Sequence, residues 1–416
     1  MARSKMHFLE GKKIIVAGGG IAGLSFVQAM HKLWDSDAEM PEIVIYERDS
    51  REGSASRYGA SLSLHGVGKE DGMVTLQKLG LLDTIMASSV PGLSFFKLWD
   101  QNWKDLITVK PKPYKSLSVG GIRIARKDLR MILIEGAERA GATIHWGTKC
   151  TAARRLQSGR MLVTISHDAG HVVEEECDLL IAADGSGSKI RGSFRPDDVV
   201  KYNGAIQMGG ISSFPDGIPS PVDKSWGMLI SGQGVSSFFS AIDKDRVVWA
   251  ISRLEPERMQ GSKREMTPEE CEELKAEAKE MGNMLAEPFQ TLVDATDPKS
   301  GFIFPARDKQ PFQHDASLQG VIFIGDANHA VSPFAGNGAN LALSDGWDLA
   351  EQLCQTSSLD KAVAAYDKIS YPRAVQTLKV SHQRINVAHL TGIKGTLFKT
   401  GMSAGGFLMW LVGVAR

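Results

Sequence analysis

The sequence predicts an α/β fold in which a domain opening on a βαβ unit is interrupted by a β-rich segment and followed by C-terminal helices. Three observations carry this expectation. The β-branched run from Lys12 to Ala17 stops at Gly18-Gly19-Gly20 and gives way to helical spacing from Ile21 to Leu33. Short apolar strands return at Asp178 to Ala183 and at Val321 to Ile324, ending in Asp184-Gly185 and Gly325-Asp326. Between them, from Tyr202 to Arg253, the pattern changes to β-rich stretches broken by Gly, Pro and Ser.

In chain order, Glu42 to Tyr46 reads as a second buried strand ending at Glu47, which completes the βαβ unit. Residues 73–84 are helical as far as Gly80, 93–109 has the alternation of strands, and Arg126 to Ala140 is again a helix. Thr267-Pro268-Glu269-Glu270 combines an N-cap, a proline in the first turn and a capping-box glutamate, and Leu274, Ala278, Met281 and Leu285 continue as one apolar stripe. From Asn340 onward the chain reads as helix with a break at Pro372. The expected organisation is a discontinuous nucleotide-binding domain (1–84, 119–200 and 302–350), a second domain (85–118 and 201–301) and a C-terminal helical region (351–416).

The 416 residues carry 48 Lys+Arg against 48 Asp+Glu and are 43% hydrophobic, a soluble globular profile that excludes a disordered chain. Balanced charge with no basic cluster also argues against nucleic acid as a partner. Cys150, Cys177, Cys271 and Cys354 are scattered, with neither metal-ligand nor disulfide-framework spacing, which fits a reducing, cytoplasmic setting with no metal. No apolar leader precedes Ile14. The apolar stretch Gly401 to Ala415 falls short of the roughly 20 residues of a membrane span. It reads as a helix packed on the body rather than a membrane foot.

Gly18-x-Gly20-x-x-Gly23 follows a strand and opens a helix, the setting in which glycines permit the turn, the approach of a pyrophosphate and close helix–strand packing. Glu47, at the tip of the next strand, is placed to accept hydrogen bonds from a ribose, so a Rossmann-like site for FAD or NAD is expected rather than a merely structural turn. Later, Gly325-Asp326 leads through Pro333 and Gly336-Asn337-Gly338-Ala339 into a second glycine-rich helix start.

These residues resemble the single-component FAD-dependent aromatic hydroxylases, the group A flavin monooxygenases. Three motifs stand in the family's order: the fingerprint at Gly18, Gly20, Gly23 and Glu47, Cys177 to Arg191 around Asp184-Gly185, and Gly325-Asp326 onward. The resemblance implies a p-hydroxybenzoate hydroxylase-like FAD-binding domain with an inserted β-rich substrate domain. It also implies FAD as cofactor, NAD(P)H and O₂ as co-substrates, and hydroxylation or epoxidation of an aromatic or polycyclic small molecule through a flavin C4a-hydroperoxide. A role in secondary-metabolite biosynthesis or detoxification follows from the same likeness. Asp326 would meet the ribityl chain, Gly336 and Ala339 the isoalloxazine, Pro333 its oxygen-reacting side, and Arg126 the FAD at a helix start. Asp184 would serve FAD and NAD(P)H; capping the helix that follows is its plainer role. Arg48 and Ala60 complete the cofactor set.

Within the family the likeness runs to tetracycline-inactivating flavin monooxygenases, through Tyr46-Glu47-Arg48-Asp49 and Gly59 to His65. On that alignment Arg57 contacts NADPH and Gln207 faces the substrate. The acid of those enzymes is Ser63 here, and their substrate-contacting arginine falls at or near Gly227, so a different ring chemistry is expected. No catalytic residue is assigned. His65, Tyr202 and His329 are candidate bases that fit structural roles as well, and Trp99, Trp103, Phe95 and Phe96 fit either a substrate wall or a core. Arg123, Arg126 and Arg130 read as a solvated helix face apart from Arg126. The alternatives are a flavin-dependent reductase or desaturase on the same fold, which would not consume O₂, and a non-catalytic nucleotide-binding protein.

Overall fold

β-Branched runs buried on both faces favour parallel pairing. In the computed structural model, which describes residues 7–403 apart from 36, 54–60, 94, 169 and 258–265, four such runs and a more exposed edge strand, Thr143–Trp146, form one sheet. Its order is Val321–Phe323, Leu179–Ala182, Lys13–Ala17, Glu42–Glu47, Thr143–Trp146, every pair parallel. Side chains alternate between two cores, as a strand requires. Ile14, Val16, Ile43, Ile45 and Ile181 point to the core shared with the helix Ile21–Leu33. Ile15, Ala17, Val44 and Leu180 point to the other core, closed by the antiparallel sheet of Thr148–Arg155, Met161–His167 and Val172–Cys177. The mixed, charged sequence of those last three strands does not announce them.

A second large sheet runs Phe302–Asp308, Lys201–Ser213, Arg246–Leu254, Val235–Ala241, Trp226–Ile230, Phe96–Trp99, Asp105–Val109. One face is apolar: Met208, Leu229, Phe239, Trp249 and Ile251 pack against the helices Pro268–Met281 and Phe289–Asp294. The first of these helices carries both halves of the expected capping box. Trp99 is fully buried in this core, with Trp103 packed on it, so both belong to the structural face. The opposite face looks toward the parallel-sheet layer. Ser61–His65 and Gly121–Ala125, an antiparallel pair, join the layers: Asn340 bonds to the backbone of Ser63 and His65, and Arg123 reaches Ser240.

Helices Gly338–Gln355, Leu359–Ala388 and Gly392–Ser403 finish the described chain. The expected break at Pro372 is not there; the helix runs through it. A proline costs a helix interior about 3 kcal/mol, and burial of Tyr366, Ser370, Ala374 and Thr377 on both sides of it outweighs that cost. Phe398 and Met402 of the last helix pack on Leu98, Ile107 and Ile230, covering an edge of the large sheet. No described helix is long and apolar enough to cross a membrane. The apolar stretch lies, from residue 404, outside the described residues.

Candidate active site

The two layers enclose a cavity of about 2040 Å³ that runs from the glycine turn to the free face of the large sheet. A single drug-sized ligand occupies roughly 300–1,000 Å³, so this space holds a dinucleotide together with a further molecule.

At one end, each glycine of the first motif has a distinct reason to be glycine. Gly18 has φ +108°, and a Cβ there would sit 2.5 Å from the Ala183 carbonyl oxygen. A Cβ at Gly23 would come within 2.2 Å of the Gly18 carbonyl oxygen. Gly20 is different: a Cβ would meet no protein atom nearer than 4.0 Å, and the residue lines the cavity. The fold leaves room there, and what needs the room is a group lying against the backbone. The helix that follows has no side-chain cap and no acid in its first turn, so its N–H groups face the cavity free for an anion. Glu47 is buried, accepting from Gly19 N (2.8 Å) and Asp49 N (3.0 Å) and pairing with Arg130 (3.3 Å). It braces the glycine turn and keeps lone pairs for a hydroxyl. Arg48 lines the same end.

Asp326 and Arg126 both project into the cavity, and among the described residues neither has a hydrogen-bond partner. Burial raises the Asp326 carboxyl above its ordinary value against the pull of His329 and Arg126, and burial lowers Arg126 against the pull of Asp326. Two opposite charges that lack side-chain partners and are open to the cavity fit the polar ribityl and phosphate portion of FAD. The Gly325–Asp326 turn is held from beneath by a buried network. Asp345 accepts from Gly325 N (2.8 Å), pairs with His329 (2.5 Å) and Arg373 (2.9 Å), and Arg373 also bonds Asp348 (2.7 Å). Burial would raise Asp345, but His329 and Arg373 outweigh it and hold the carboxyl well below the usual range; His329 is correspondingly raised. His329 therefore belongs to this support, and the Tyr202 hydroxyl donates to the Glu255 carbonyl (2.7 Å).

Pro333, Gly336 and Ala339 line the cavity at the second glycine-rich turn, where Arg384 Nη1 donates to the carbonyls of Phe334 (3.3 Å) and Ala335 (2.5 Å). Asp184 turns away to accept from Ser188 Oγ (2.5 Å), Lys189 N (2.8 Å) and Ile190 N (3.2 Å), the capping geometry of the helix Lys189–Phe194. Buried Arg191 then ties this turn to the Gly325 turn, donating to the carbonyls of Ser186 (2.7 Å) and Ala327 (2.8 Å). Arg57 and Ala60 lie outside the described residues.

The far wall is the free face of the large sheet, and its register arranges the lining in rows. Phe304, Gln207, Ser252, Ser236 and Ile230 face one another across five strands. One step along lie Phe302, Gly209, Ala250, Phe238, Met228 and Leu98. Val248 and Ser240 form a third row, near Trp226 and Phe96. The wall is thus mostly apolar and aromatic with one polar stripe through Gln207, the residue expected to face a substrate. Gly227 lies on the opposite side of its strand, where a Cβ would be 1.8 Å from the Lys97 carbonyl oxygen, so the fold admits no side chain there. His65 lines the cavity, with burial lowering it toward the neutral form.

Arg123 corrects the sequence expectation. It lies in the strand Gly121–Ala125, not on a helix face, and is 3% exposed. The helix starts only at Arg126. Strand periodicity at Gly121 to Ala125 (GIRIA) is the signal that separates the two arginines. Arg130 is no free surface group either, since it pairs with Glu47 and Asp49.

Comparison with known proteins agrees with this geometry. A family described as "FAD binding domain" matches residues 13–381. The chain is 41% identical over 411 residues to the monooxygenase cfoF of Aspergillus candidus, covering 98% of each chain. It is 26% identical over 410 residues to the FAD-dependent monooxygenase adaC of Aspergillus niger, covering 90% of this chain and 93% of that one. Among solved structures, Klebsiella pneumoniae HpxO complexed with FAD and uric acid superimposes with a TM-score of 0.77 over 99% of this chain and 98% of that one, at 20% identity. Pseudomonas aeruginosa PqsL in complex with 2-aminobenzoylacetate gives 0.70 at 19% identity, covering 95% and 99%. These define a flavoprotein oxidoreductase of the aromatic-hydroxylase fold. The chain belongs to the FAD binding domain family and is a monooxygenase of it.

Proposed function

We propose that this monooxygenase uses NAD(P)H and O₂ to hydroxylate or epoxidise an aromatic or polycyclic small molecule, in secondary-metabolite biosynthesis or detoxification. The observation that carries the reading is the continuity of the cavity: the cleft that fits FAD opens directly onto the apolar, aromatic sheet face. The relatives cfoF and adaC are fungal monooxygenases, which favours small-molecule tailoring.

FAD, when bound, supplies the redox and oxygen-activating chemistry. The chain's own residues divide the remaining work. Gly18, Gly20 and Gly23 with the helix start at Ile21 would seat the pyrophosphate, Glu47 the ribose, and Asp326 and Arg126 the ribityl chain that leads from the pyrophosphate to the ring system. The turn from Pro333 to Ala339, clamped by Arg384, would lie along the ring system. Phe238, Met228, Phe302 and Phe304 offer a flat apolar wall that excludes water and holds a planar substrate, while Gln207 fixes its orientation by hydrogen bonds. The division into an FAD-binding domain (1–84, 119–200, 302–350), a substrate domain (85–118, 201–301) and a helical region from 351 follows from the same assignment.

The test is a flavin spectrum of the purified protein followed by NADPH and NADH oxidation in air with a panel of polycyclic phenols. Compound-accelerated oxidation with matching O₂ uptake supports the reading. Reduction of a substrate double bond without O₂ uptake would favour a reductase on the same fold, and protein that cannot be loaded with FAD would sink both.

A further inference from the structure

Arg123 is a buried cation whose contacts leave its charge unanswered. It sits opposite Ser63 in the antiparallel pair. Its Nη1 donates to Ser63 Oγ (2.6 Å), its Nη2 to Ser61 Oγ and its Nε to Ser240 Oγ (3.0 Å). The guanidinium lies over the rings of Trp226 (5.0 Å) and Phe238 (5.2 Å). Every one of these partners is neutral, and among the described residues no carboxylate pairs with it. Arg384 also lines the cavity with only neutral carbonyl partners, those of Phe334 and Ala335, whereas two other buried arginines differ. Arg373 is matched by Asp345 and Asp348, and Arg191 has three carbonyls, Asp198 nearby and no opening onto the cavity.

A buried charge without a counter-ion costs several kcal/mol, and three hydroxyls and two ring faces offset only part of that. Burial lowers the Arg123 guanidinium to about 9, which still leaves it charged at neutral pH. The group has five N–H donors, and the three serine contacts leave others for a ligand. Trp226, Phe238 and Arg123 all line the cavity, at the substrate wall rather than at the glycine turn. Ser63, the residue directly opposite Arg123, offers a neutral hydroxyl and so leaves this charge without a counter-ion.

Resting on the reading that this cavity takes the substrate, we infer that Arg123 is an anion subsite which receives a carboxylate, or an ionised acidic hydroxyl, carried on the aromatic substrate. The anion takes the remaining N–H donors of the guanidinium where it meets the cavity, and the substrate ring extends along Phe238 and Met228. Arg123 is thus a specificity-determining residue, selecting acidic over neutral ring systems. No bond changes at this subsite.

The test uses FAD-loaded wild type, Arg123→Gln and Arg123→Lys, titrated by flavin absorbance with matched pairs: benzoate and benzamide, 2-naphthoate and 2-naphthamide, anthracene-2-carboxylate and its amide. At least one acid is expected to bind wild type tenfold or more tighter than its amide. That ratio falls to near one in Arg123→Gln and is partly kept in Arg123→Lys, with FAD content unchanged in both. A wild-type ratio near one for every pair overturns the inference, as does a preference that survives in Arg123→Gln or loss of FAD along with it. Should Arg123→Gln not fold, the wild-type ratio and its fall in Arg123→Lys decide. NAD(P)H-dependent O₂ uptake by the same wild-type preparation reads the proposed function separately: a protein active in that assay but indifferent to charge loses only the anion subsite.

Discussion

A methyl group at Gly20 and one at Gly23 have opposite consequences, although the sequence motif treats the two glycines alike. At Gly23 the added Cβ would stand 2.2 Å from the Gly18 carbonyl oxygen and 3.2 Å from Val16 Cγ1, so strand and helix must separate. Overpacking of this kind costs about 1–3 kcal/mol, all of it in the apoprotein. At Gly20 the nearest protein atom is 4.0 Å away, an ordinary contact. Gly20→Ala should change apoprotein stability by no more than about 0.5 kcal/mol. The same methyl would occupy the approach of the pyrophosphate, and a loss of about 1.4 kcal/mol or more there weakens FAD binding at least tenfold. Urea denaturation of the apoproteins and FAD titration by fluorescence quenching separate the two effects. The reasoning is refuted if Gly20→Ala destabilises the apoprotein as much as Gly23→Ala does, or if it binds FAD like wild type.

Asp326→Ala removes a carboxylate that is open to the cavity and has no side-chain hydrogen-bond partner among the described residues, so apoprotein stability should change little while FAD retention on gel filtration falls; unchanged retention would remove Asp326 from the site. His329 has its folded pKa raised above an unfolded value near 6.5, so its contribution to stability is complete below that pH and is lost as pH rises through the raised value. Denaturation midpoints from pH 6 upward, in about half-unit steps, should therefore decline in wild type and decline less in His329→Gln; parallel profiles would contradict the pairing with Asp345. Thr267→Ala breaks the capping box behind the sheet and should cost about 1 kcal/mol with kcat unchanged, since that helix packs on the face turned away from the cavity.

The FAD-binding half was legible because its signals are local. Gly18 to Gly23 lie in consecutive turns of one strand–helix unit, and Gly325-Asp326 ends a run whose apolar character requires a buried strand. Alternation also marked the second sheet. What was not legible depends on register between distant segments. Arg123 looks like a neighbour of Arg126 in sequence, and its role emerges only when Ser61, Ser63 and Ser240 are brought around it from two other strands. The polar stripe through Gln207, Ser252 and Ser236 likewise exists only once three strands are aligned. Pro372 misleads for a related reason: a local rule about helix interiors yields to packing along the whole of Leu359–Ala388. Asp345, which anchors the second motif, sits 20 residues beyond Gly325 within a helix and carries no motif of its own.

The central claim is that one cavity joins the flavin to an organic substrate so that oxygen from O₂ enters that substrate. Single-turnover oxidation of the FAD-loaded, reduced enzyme under isotopically heavy O₂, with a compound that accelerates NAD(P)H consumption, tests it directly. The account predicts one heavy oxygen atom in the product for each reduced flavin consumed. Consumption of reduced flavin with all of the oxygen recovered as hydrogen peroxide or water, for every compound that accelerates the reaction, would contradict it.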